Sequence, residues 1–230
     1  MNIIIDHIIN NKSIVYAKYG DGEYYAATNQ SGMNCDRTPY TPELGAGIIS
    51  SFKYLTQIPS VYIGKREELS VVAYFESLVS TPIQWMDYHI FMFTSLTSFL
   101  EREPIYRTIK NAPQQKIYIC NKTMVDRSKL FLKIDTHIIV DKTNWFTKEY
   151  ATILTNTSAA VKNRDSVMFL LSAGMGAKVL IADLYRQFPN AIILDIGSML
   201  DYICSLRASR DYHRSLSAKD INTIYKRLAD

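Results

Sequence analysis

Two acidic residues two positions apart, Asp21 and Glu23, are the clearest chemical feature of this sequence. They lie in the segment YGDGE, where Gly20 and Gly22 leave room around both carboxylates. Carboxylate oxygens are preferred ligands of Mg²⁺ and Mn²⁺, and these ions commonly bridge to substrate phosphates. The spacing therefore predicts a divalent-cation site. The alternative is a plain turn, in which Asp-Gly supplies turn chemistry and Glu23 lies in the first turn of a helix.

A second group of small residues, SAGMGAK, occupies positions 172–178 near the other end of the chain. Its candidate ligand-binding residues are Ser172, Gly174, Met175, Gly176 and Lys178. Small residues before a helix allow backbone N–H groups to approach an anion at the positive end of the helix dipole. The segment matches neither the dinucleotide fingerprint nor the P-loop in full. It indicates a phosphate-binding turn, with a tight strand-to-helix turn as the alternative.

Three further segments carry polar groups that could take part in ligand binding or catalysis. Asp195 follows a strand-like run and could accept hydrogen bonds from sugar or ribose hydroxyls, or it could cap a helix. Asn144 and Trp145 offer an amide beside a flat ring, which could hold a nucleobase, although such a Trp could also be core. His213 lies among cations, including Arg210, that would hold its ring neutral.

The elements that must position these residues alternate regularly along the chain. Strands are predicted at 13–19, 60–63, 116–120, 136–140, 166–171 and 191–194. Helices are predicted at 42–55, 66–79, 122–133, 146–161, 175–188 and 220–228. The segment 82–110 could hold a strand or an aromatic-rich helix. Regular alternation of this kind indicates an α/β, Rossmann-like single domain over residues 1–230, with a mostly parallel sheet and helices on both faces.

Ligands of open parallel sheets bind beyond the carboxyl ends of the strands. The nine glycines fall into two groups, at positions 20–64 and 174–197, with none between. Gly20 follows the first predicted strand, and Gly174 follows the strand that ends at Leu171. We therefore expect the two glycine groups to meet in one crevice.

Composition excludes several classes of protein. A chain of 230 residues that is 47% hydrophobic and 21% charged is typical of a globular protein. No apolar run approaches the roughly 20 residues of a membrane helix, and the first residues lack a signal-peptide pattern. The three widely spaced cysteines, Cys35, Cys120 and Cys204, indicate neither a disulfide framework nor a structural zinc site. They favour a reducing, cytoplasmic location.

The positive charge is concentrated in a basic C-terminal helical segment, residues 205–230, which holds six basic and three acidic residues. Such a segment could contact nucleic acid, but an amphipathic pattern with this charge is more often a solvated helix face. Arg207, Arg210 and Arg214 could instead neutralise a phosphate-bearing small molecule. We do not expect nucleic acid as the partner.

The segment YGDGE, an aromatic residue before Gly-Asp-Gly-Glu, resembles the Asp-x-Glu signature of glycosyltransferases with the GT-D fold. The order and spacing of two later motifs agree across nearly the whole chain: the small-residue turn at 172–178 and Asp195-Ile196-Gly197. Ser198 stands where better-known members carry His, and the segment 34–45 indicates an uncharacterised branch. The resemblance implies metal-assisted transfer of a sugar from a nucleoside diphosphate donor, most simply a UDP-sugar, to a glycan or protein-linked glycan.

The resemblance also implies roles for the candidate residues. Asp21 and Glu23 would hold Mn²⁺ or Mg²⁺, directly or through water, and Asp195 would join them as a catalytic residue. The donor would contact Gly20, Gly22, Asn144, Trp145, Ser172, Gly174, Met175, Gly176, Lys178 and Arg210. The acceptor or the sugar would contact Asn34, Asp36, Asp201 and His213. Inversion would need a general base, for which Asp36, Asp195 and Asp201 all stay open. A homodimer and a non-catalytic nucleotide- or glycan-binding domain are further hypotheses.

Overall fold

The computed structural model describes residues 2–140, 143–198, 200, 203–204 and 215–229. A seven-stranded sheet runs through the molecule in the order β3-β2-β1-β7-β6-β4-β5, and every pairing is parallel. The strands are β1 (Ile14–Lys18), β2 (Val61–Lys65), β3 (Trp85–Asp87), β4 (Gln115–Cys120), β5 (Thr136–Ile139), β6 (Val167–Leu171) and β7 (Ile192–Asp195). The first strand and the last one therefore lie side by side near the middle of the sheet.

Helices connect these strands and cover the sheet. They are α1 (Ile3–Ile9), α2 (Asp21–Ala27), α3 (Pro42–Leu55), α4 (Leu69–Ser77), α5 (Leu96–Asn111), α6 (Val125–Leu132), α7 (Trp145–Lys148), α8 (Tyr150–Ala159), α9 (Ala177–Gln187) and α10 (Ala218–Ala229). A short 3₁₀ turn, Lys122–Met124, precedes α6. None of the helices in the described part of the chain is long and apolar enough to cross a membrane.

Two hydrophobic cores lie on opposite faces of the sheet. Successive residues of β1 alternate between them: Val15 and Ala17 belong to one core, and Ile14 and Tyr16 to the other. The first core also takes side chains from α2, α3, α4, α8 and α9, and the second takes side chains from α1, α5, α6 and α10. Burial on both faces explains why the strands are short continuous apolar runs.

All six predicted strands are present, and each boundary lies within two residues of the prediction. The ambiguous segment 82–110 contains both the edge strand β3 and the helix α5. The helix predicted over 146–161 is divided into α7 and α8, and the predicted C-terminal helix is α10. The sequence patterns did not predict α1, and they offered α2 only as the alternative to a metal-binding turn.

The loops after β1 and β6 lead into helices on one face, whereas the chain after β7 turns to the other. Met175 and Ala177, which follow β6, pack in the first core. Ile196 and Leu200, which follow β7, pack in the second. The two connections thus diverge at the carboxyl ends of β1, β7 and β6, the place where open parallel sheets bind ligands, and this edge of the sheet is called the crevice below.

Candidate active site

The turn between β1 and α2 places the two predicted acids differently. Gly20 caps the N-terminus of α2, and Asp21 is the first residue of the helix, with an exposed side chain. Glu23, at the third helical position, folds back so that its Oε2 accepts a hydrogen bond from the backbone N–H of Gly20 at 2.9 Å. Both acids therefore lie in the first turn of α2, where negative charge is favourable, and the divalent-cation site stays a prediction.

A buried lysine joins the second acid to β7. The Nζ atom of Lys178, in the first turn of α9, lies 3.0 Å from Glu23 Oε1 and 2.7 Å from Asp195 Oδ2. The three side chains are only 6%, 8% and 3% exposed, respectively. The two glycine groups thus meet, as the sequence predicted, and a charge cluster of one cation and two carboxylates links them.

The carboxylate of Asp195 is held on all sides. Its Oδ1 accepts the N–H of Gly197 at 3.1 Å, and its Oδ2 accepts the N–H of Lys18 at 3.2 Å in addition to the ammonium of Lys178. Burial alone would raise the pKa of Asp195, but the positive charges of Lys178 and Lys18 hold it below its ordinary value. Asp195 is therefore ionised and fully engaged, which does not suit a group that must take a proton.

The charge of Lys178 is also fixed. Burial alone would lower the pKa of the Lys178 ammonium, but the carboxylates of Asp195 and Glu23 outweigh burial and raise it. The ammonium also points to the carbonyl oxygen of Gly174 at 3.4 Å. The sequence analysis assigned Lys178 to binding of the donor. In the structure its ammonium is buried between Glu23 and Asp195.

The predicted phosphate-binding turn is open at one residue. Gly174 has a φ of +64°, and among the described residues no atom beyond its chain neighbours lies within 4 Å of the position that a Cβ would take. The neighbouring Met175 is buried, and its sulfur lies against Gly22 of α2. The first N–H groups of α9, on Ala177 and Lys178, already donate to carbonyl oxygens within the turn at 3.2 Å. Gly174 is therefore the point at which a ligand can approach this backbone most closely.

Trp145 lies under the turn, a position that favours core packing over a role as a platform for a base. The ring is 3% exposed, and its Nε1–H donates to the carbonyl oxygen of Ala173 at 3.1 Å. A Cβ on Gly176 would lie 2.7 Å from the indole ring, so the glycine is needed for this packing. The preceding Asn144 is exposed at the start of α7. The alternative of core packing is the one that applies to Trp145.

Ser172 links two strand ends. Its hydroxyl accepts a hydrogen bond from the hydroxyl of Tyr118 at 2.7 Å and donates to the carbonyl oxygen of Gly197 at 2.5 Å. Gly197 itself has a φ of +62°, which L-residues other than glycine rarely adopt. Ser172 thus holds the loops after β6 and β7 together at the edge of the crevice.

The loop before α3 carries two of the predicted acceptor residues. The side-chain oxygen of Asn34 accepts the N–H groups of Asp36 and Thr38 at 3.0 and 2.9 Å. The Cβ of Asn34 lies 3.8 Å from the Cβ position of Gly22, so the loop covers the start of α2. Asp36 is half-buried in this loop. The loop therefore brings Asn34 to the acidic turn, while Asp201, Arg210 and His213 lie outside the described residues.

Three residues that sequence reasoning missed border the same turn. The hydroxyl oxygen of Tyr88 lies 2.6 Å from the Cβ position of Gly20, and the guanidinium of Arg66 lies 5.0 Å from the centre of the Tyr88 ring. The ammonium of Lys18 lies 5.6 Å from the same ring. Lys18 ends β1, Arg66 follows β2 and Tyr88 follows β3, so all three lie at the carboxyl ends of parallel strands. Prediction of β3 from the sequence would have made Tyr88 a candidate.

Tyr88 is held in its protonated form. Burial and the negative charge of Glu23 raise the pKa of Tyr88 above its ordinary value. A phenol that keeps its proton can donate a hydrogen bond. Its position beside Gly20 makes it a candidate donor to an anionic ligand bound over the turn.

The residues around the turn at Gly20 could hold a divalent ion if a single carboxylate supplied the protein's ligand. Within the described ranges, no group of three or more His, Cys, Asp or Glu side chains could enclose a metal on its own. Mg²⁺ often takes only one or two protein carboxylates and completes its shell with water and substrate phosphates. Asp21, exposed at the mouth of the crevice, suits that arrangement. Glu23 is engaged with Lys178 and Gly20.

Solved structures share this fold. One is described as the highly conserved domain of unknown function 1792 with a distinct glycosyltransferase fold; it matches with a TM-score of 0.64 and 16% identity over 86% of this chain and 78% of that chain. Another is described as a new glycosyltransferase (DUF1792) from Streptococcus sanguinis; it matches with a TM-score of 0.61 and 17% identity over 90% of this chain and 83% of that chain. The expected glycosyltransferase fold is therefore confirmed.

No protein-family model matches this sequence, and no curated protein sequence matches it significantly. At 16–17% identity, the likeness to the solved structures extends to the fold. What the crevice does must be argued from its own residues.

Proposed function

We propose that this protein is a glycosyltransferase that uses a divalent ion and a nucleoside diphosphate sugar, with a UDP-sugar as the first candidate donor. One observation carries the proposal: the turn with Asp21 and Glu23 meets Lys178 and Asp195 at the carboxyl edge of the sheet. Two glycine-rich turns and an exposed carboxylate thus border one crevice in a fold shared with glycosyltransferase structures.

Each side of the crevice has a role in this proposal. Asp21 would hold Mn²⁺ or Mg²⁺, and such an ion offsets the charge that develops on a departing diphosphate. The backbone at Gly174 would approach a phosphate oxygen, because no side chain of the described residues blocks close contact there. The hydroxyl of Tyr88 would donate a hydrogen bond to the same anionic group.

The acceptor would enter past the loop that carries Asn34 and Asp36. If the configuration at the sugar inverts, a carboxylate must take the proton of the acceptor hydroxyl. The contacts of Asp195 argue against it as that base, and they support a positioning role for it instead. Asp36 and Asp201 stay as the candidate bases.

The proposal is tested by the release of nucleoside diphosphate. The purified protein is incubated with a panel of sugar nucleotides in Mn²⁺ or in EDTA, and free UDP or GDP is measured. We expect release from at least one donor in Mn²⁺ and none in EDTA, and no release by Asp21→Asn. Full activity in EDTA, or in Asp21→Asn, would contradict the role of the metal.

A non-catalytic binding domain is the second candidate. The observation that favours it is the internal cation, since Lys178 already neutralises Glu23 without any bound metal. Such a domain would gain thermal stability from a nucleotide by mass action and would release no product from any donor. The same donor panel, read once by thermal shift and once by product release, separates the two functions.

A further inference from the structure

Both carboxylate oxygens of Glu23 already have partners inside the protein. Oε2 accepts the N–H of Gly20 at 2.9 Å, and Oε1 receives the ammonium of Lys178 at 3.0 Å. The Glu23 side chain is 8% exposed, whereas Asp21, two residues earlier, is exposed. The two acids of the pair therefore face different environments.

The ammonium of Lys178 is equally occupied. A lysine ammonium has three N–H donors. Three oxygen atoms lie near this one: Asp195 Oδ2 at 2.7 Å, Glu23 Oε1 at 3.0 Å and the carbonyl oxygen of Gly174 at 3.4 Å. Lys178 thus connects α2, β7 and the turn before α9, and it has no donor left for a phosphate.

We propose that Glu23 and Lys178 are positioning residues and that Asp21 is the acid of this pair that contacts the divalent ion and its diphosphate. The inference rests on the proposed function. The ion pair between Glu23 and Lys178 fixes the first turn of α2 against the turn at Gly174. Asp21 and the backbone at Gly174 can then contact the same ligand. Lys178 supplies Glu23 and Asp195 with a shared cation in place of a metal.

Electrostatics supports this division of roles. A dication bound to Glu23 would lie next to the buried ammonium of Lys178, and like charges at that distance repel strongly where water is excluded. Moving Glu23 toward such an ion would also release the N–H of Gly20. An ion at Asp21 meets neither cost, because that carboxylate projects to solvent from the first position of α2.

The test compares three variants with a matched control. The variants are Asp21→Asn, Glu23→Gln and Lys178→Met, and the control is Glu103→Gln. Glu103 is also a buried glutamate whose two oxygens are held, by Arg107 at 2.7 Å and by Arg227 at 2.9 Å, but it lies on α5 behind the sheet. Mn²⁺ affinity is measured by electron paramagnetic resonance in the presence of UDP, and the thermal midpoint is measured in EDTA.

Each role has its own expected signature. Asp21→Asn weakens Mn²⁺ binding by at least about 100-fold, because it removes a ligand, and it lowers the midpoint in EDTA less than Glu23→Gln does, because it removes only an exposed charge at the N-terminus of α2. Glu103→Gln lowers the midpoint and leaves Mn²⁺ affinity unchanged. Glu23→Gln and Lys178→Met lower the midpoint and also weaken Mn²⁺ binding by about tenfold, since they loosen the turn that holds Asp21.

Three results overturn the inference. Glu23→Gln weakens Mn²⁺ binding as much as Asp21→Asn, or it leaves the midpoint in EDTA unchanged, or it lowers the midpoint without any change in affinity. If Lys178→Met is recovered unfolded, Glu23→Gln decides alone. If the unmodified protein binds UDP as tightly in EDTA as in Mn²⁺, the proposed metal and the role of Asp21 as its ligand both fail. If UDP does not bind, the same measurements are made with GDP, and no binding of either nucleotide overturns both proposals.

Discussion

The Nζ atom of Lys178 and the Oε1 atom of Glu23 lie 3.0 Å apart, although the two residues come from opposite ends of the chain. Lys178 begins α9 after the sixth strand, and Glu23 lies in the first turn of α2 after the first strand. Their ion pair is buried, so it holds the two glycine-rich turns in a defined relation. Removal of Lys178 leaves the carboxylates of Glu23 and Asp195 without their shared cation in a site that water barely reaches.

Loss of the buried cation should destabilise the fold strongly. In Lys178→Met, the carboxylates of Glu23 and Asp195 lose their shared partner, and we expect the free energy of unfolding to fall by about 3 to 5 kcal/mol. Urea unfolding at neutral pH measures the change. Lys12→Met is the control, because Lys12 pairs with Asp6 at 3.5 Å on the surface, where such pairs contribute about 0 to 1 kcal/mol. Equal effects of the two variants would contradict the account.

Acid should remove part of the stability that Asp195 supplies. Its pKa is lowered in the folded protein, so its contribution is complete above the unfolded value of about 3.9 and is lost as the pH falls through the lower, folded value. We expect Asp195→Asn to show a smaller loss of unfolding free energy than the unmodified protein between about pH 4 and pH 2. Urea unfolding across this range measures both slopes. Equal slopes would show that Asp195 is not held as an ion in the fold.

Two glycines with the same backbone conformation should differ in their tolerance of a side chain. Gly174 and Gly197 have φ values of +64° and +62°, so alanine at either costs about 1 to 2 kcal/mol of backbone strain. In the described part of the chain a Cβ at Gly174 meets no neighbour, whereas a Cβ at Gly197 would overlap the ammonium of the buried Lys18. Gly197→Ala should therefore lower the thermal midpoint more than Gly174→Ala. The opposite order would contradict the placement of Lys18 beside Gly197.

The two tryptophans allow a direct test of where Trp145 lies. In Trp85→Phe, all remaining tryptophan emission comes from Trp145, whose ring is 3% exposed. We expect weak quenching by acrylamide, because the ring packs under Gly176 and not in the crevice. Saturating UDP should change this emission little. Strong quenching by UDP would restore the role of Trp145 as a platform for the base.

Periodicity and strand-end chemistry were enough to predict the α/β fold and the meeting of the two glycine groups. Short buried strands that alternate with amphipathic helices fit few folds other than an α/β fold with a parallel sheet. Residues that follow the strands, such as Gly20 and Gly174, then lie together at the carboxyl edge of that sheet. The edge strand β3 stayed open between a strand and a helix because its three residues, Trp85–Asp87, are too few to show a period. Tyr88, which follows it, was missed for the same reason.

The partners of the charged residues could not be predicted from the sequence. Lys178 is a plausible phosphate ligand by its place in a small-residue turn, and Glu23 is a plausible metal ligand by its spacing from Asp21. Whether Lys178 and Glu23 face solvent depends on a contact between α2 and α9. That contact forms only when the sheet brings distant parts of the chain together. Trp145 is a similar case, because burial under Gly176 is a property of the tertiary packing.

Calorimetric titration of UDP into the protein tests the central claim most directly, namely that Asp21 opens onto a site for a metal-bound nucleoside diphosphate. The titration is made in Mn²⁺ and in EDTA, for the unmodified protein and for Asp21→Asn. For the unmodified protein we predict binding of one UDP per chain in Mn²⁺ and much weaker binding in EDTA. For Asp21→Asn we predict that the affinity for UDP is as weak in Mn²⁺ as in EDTA. Equal affinity in all four titrations, or no binding in any, would contradict the account.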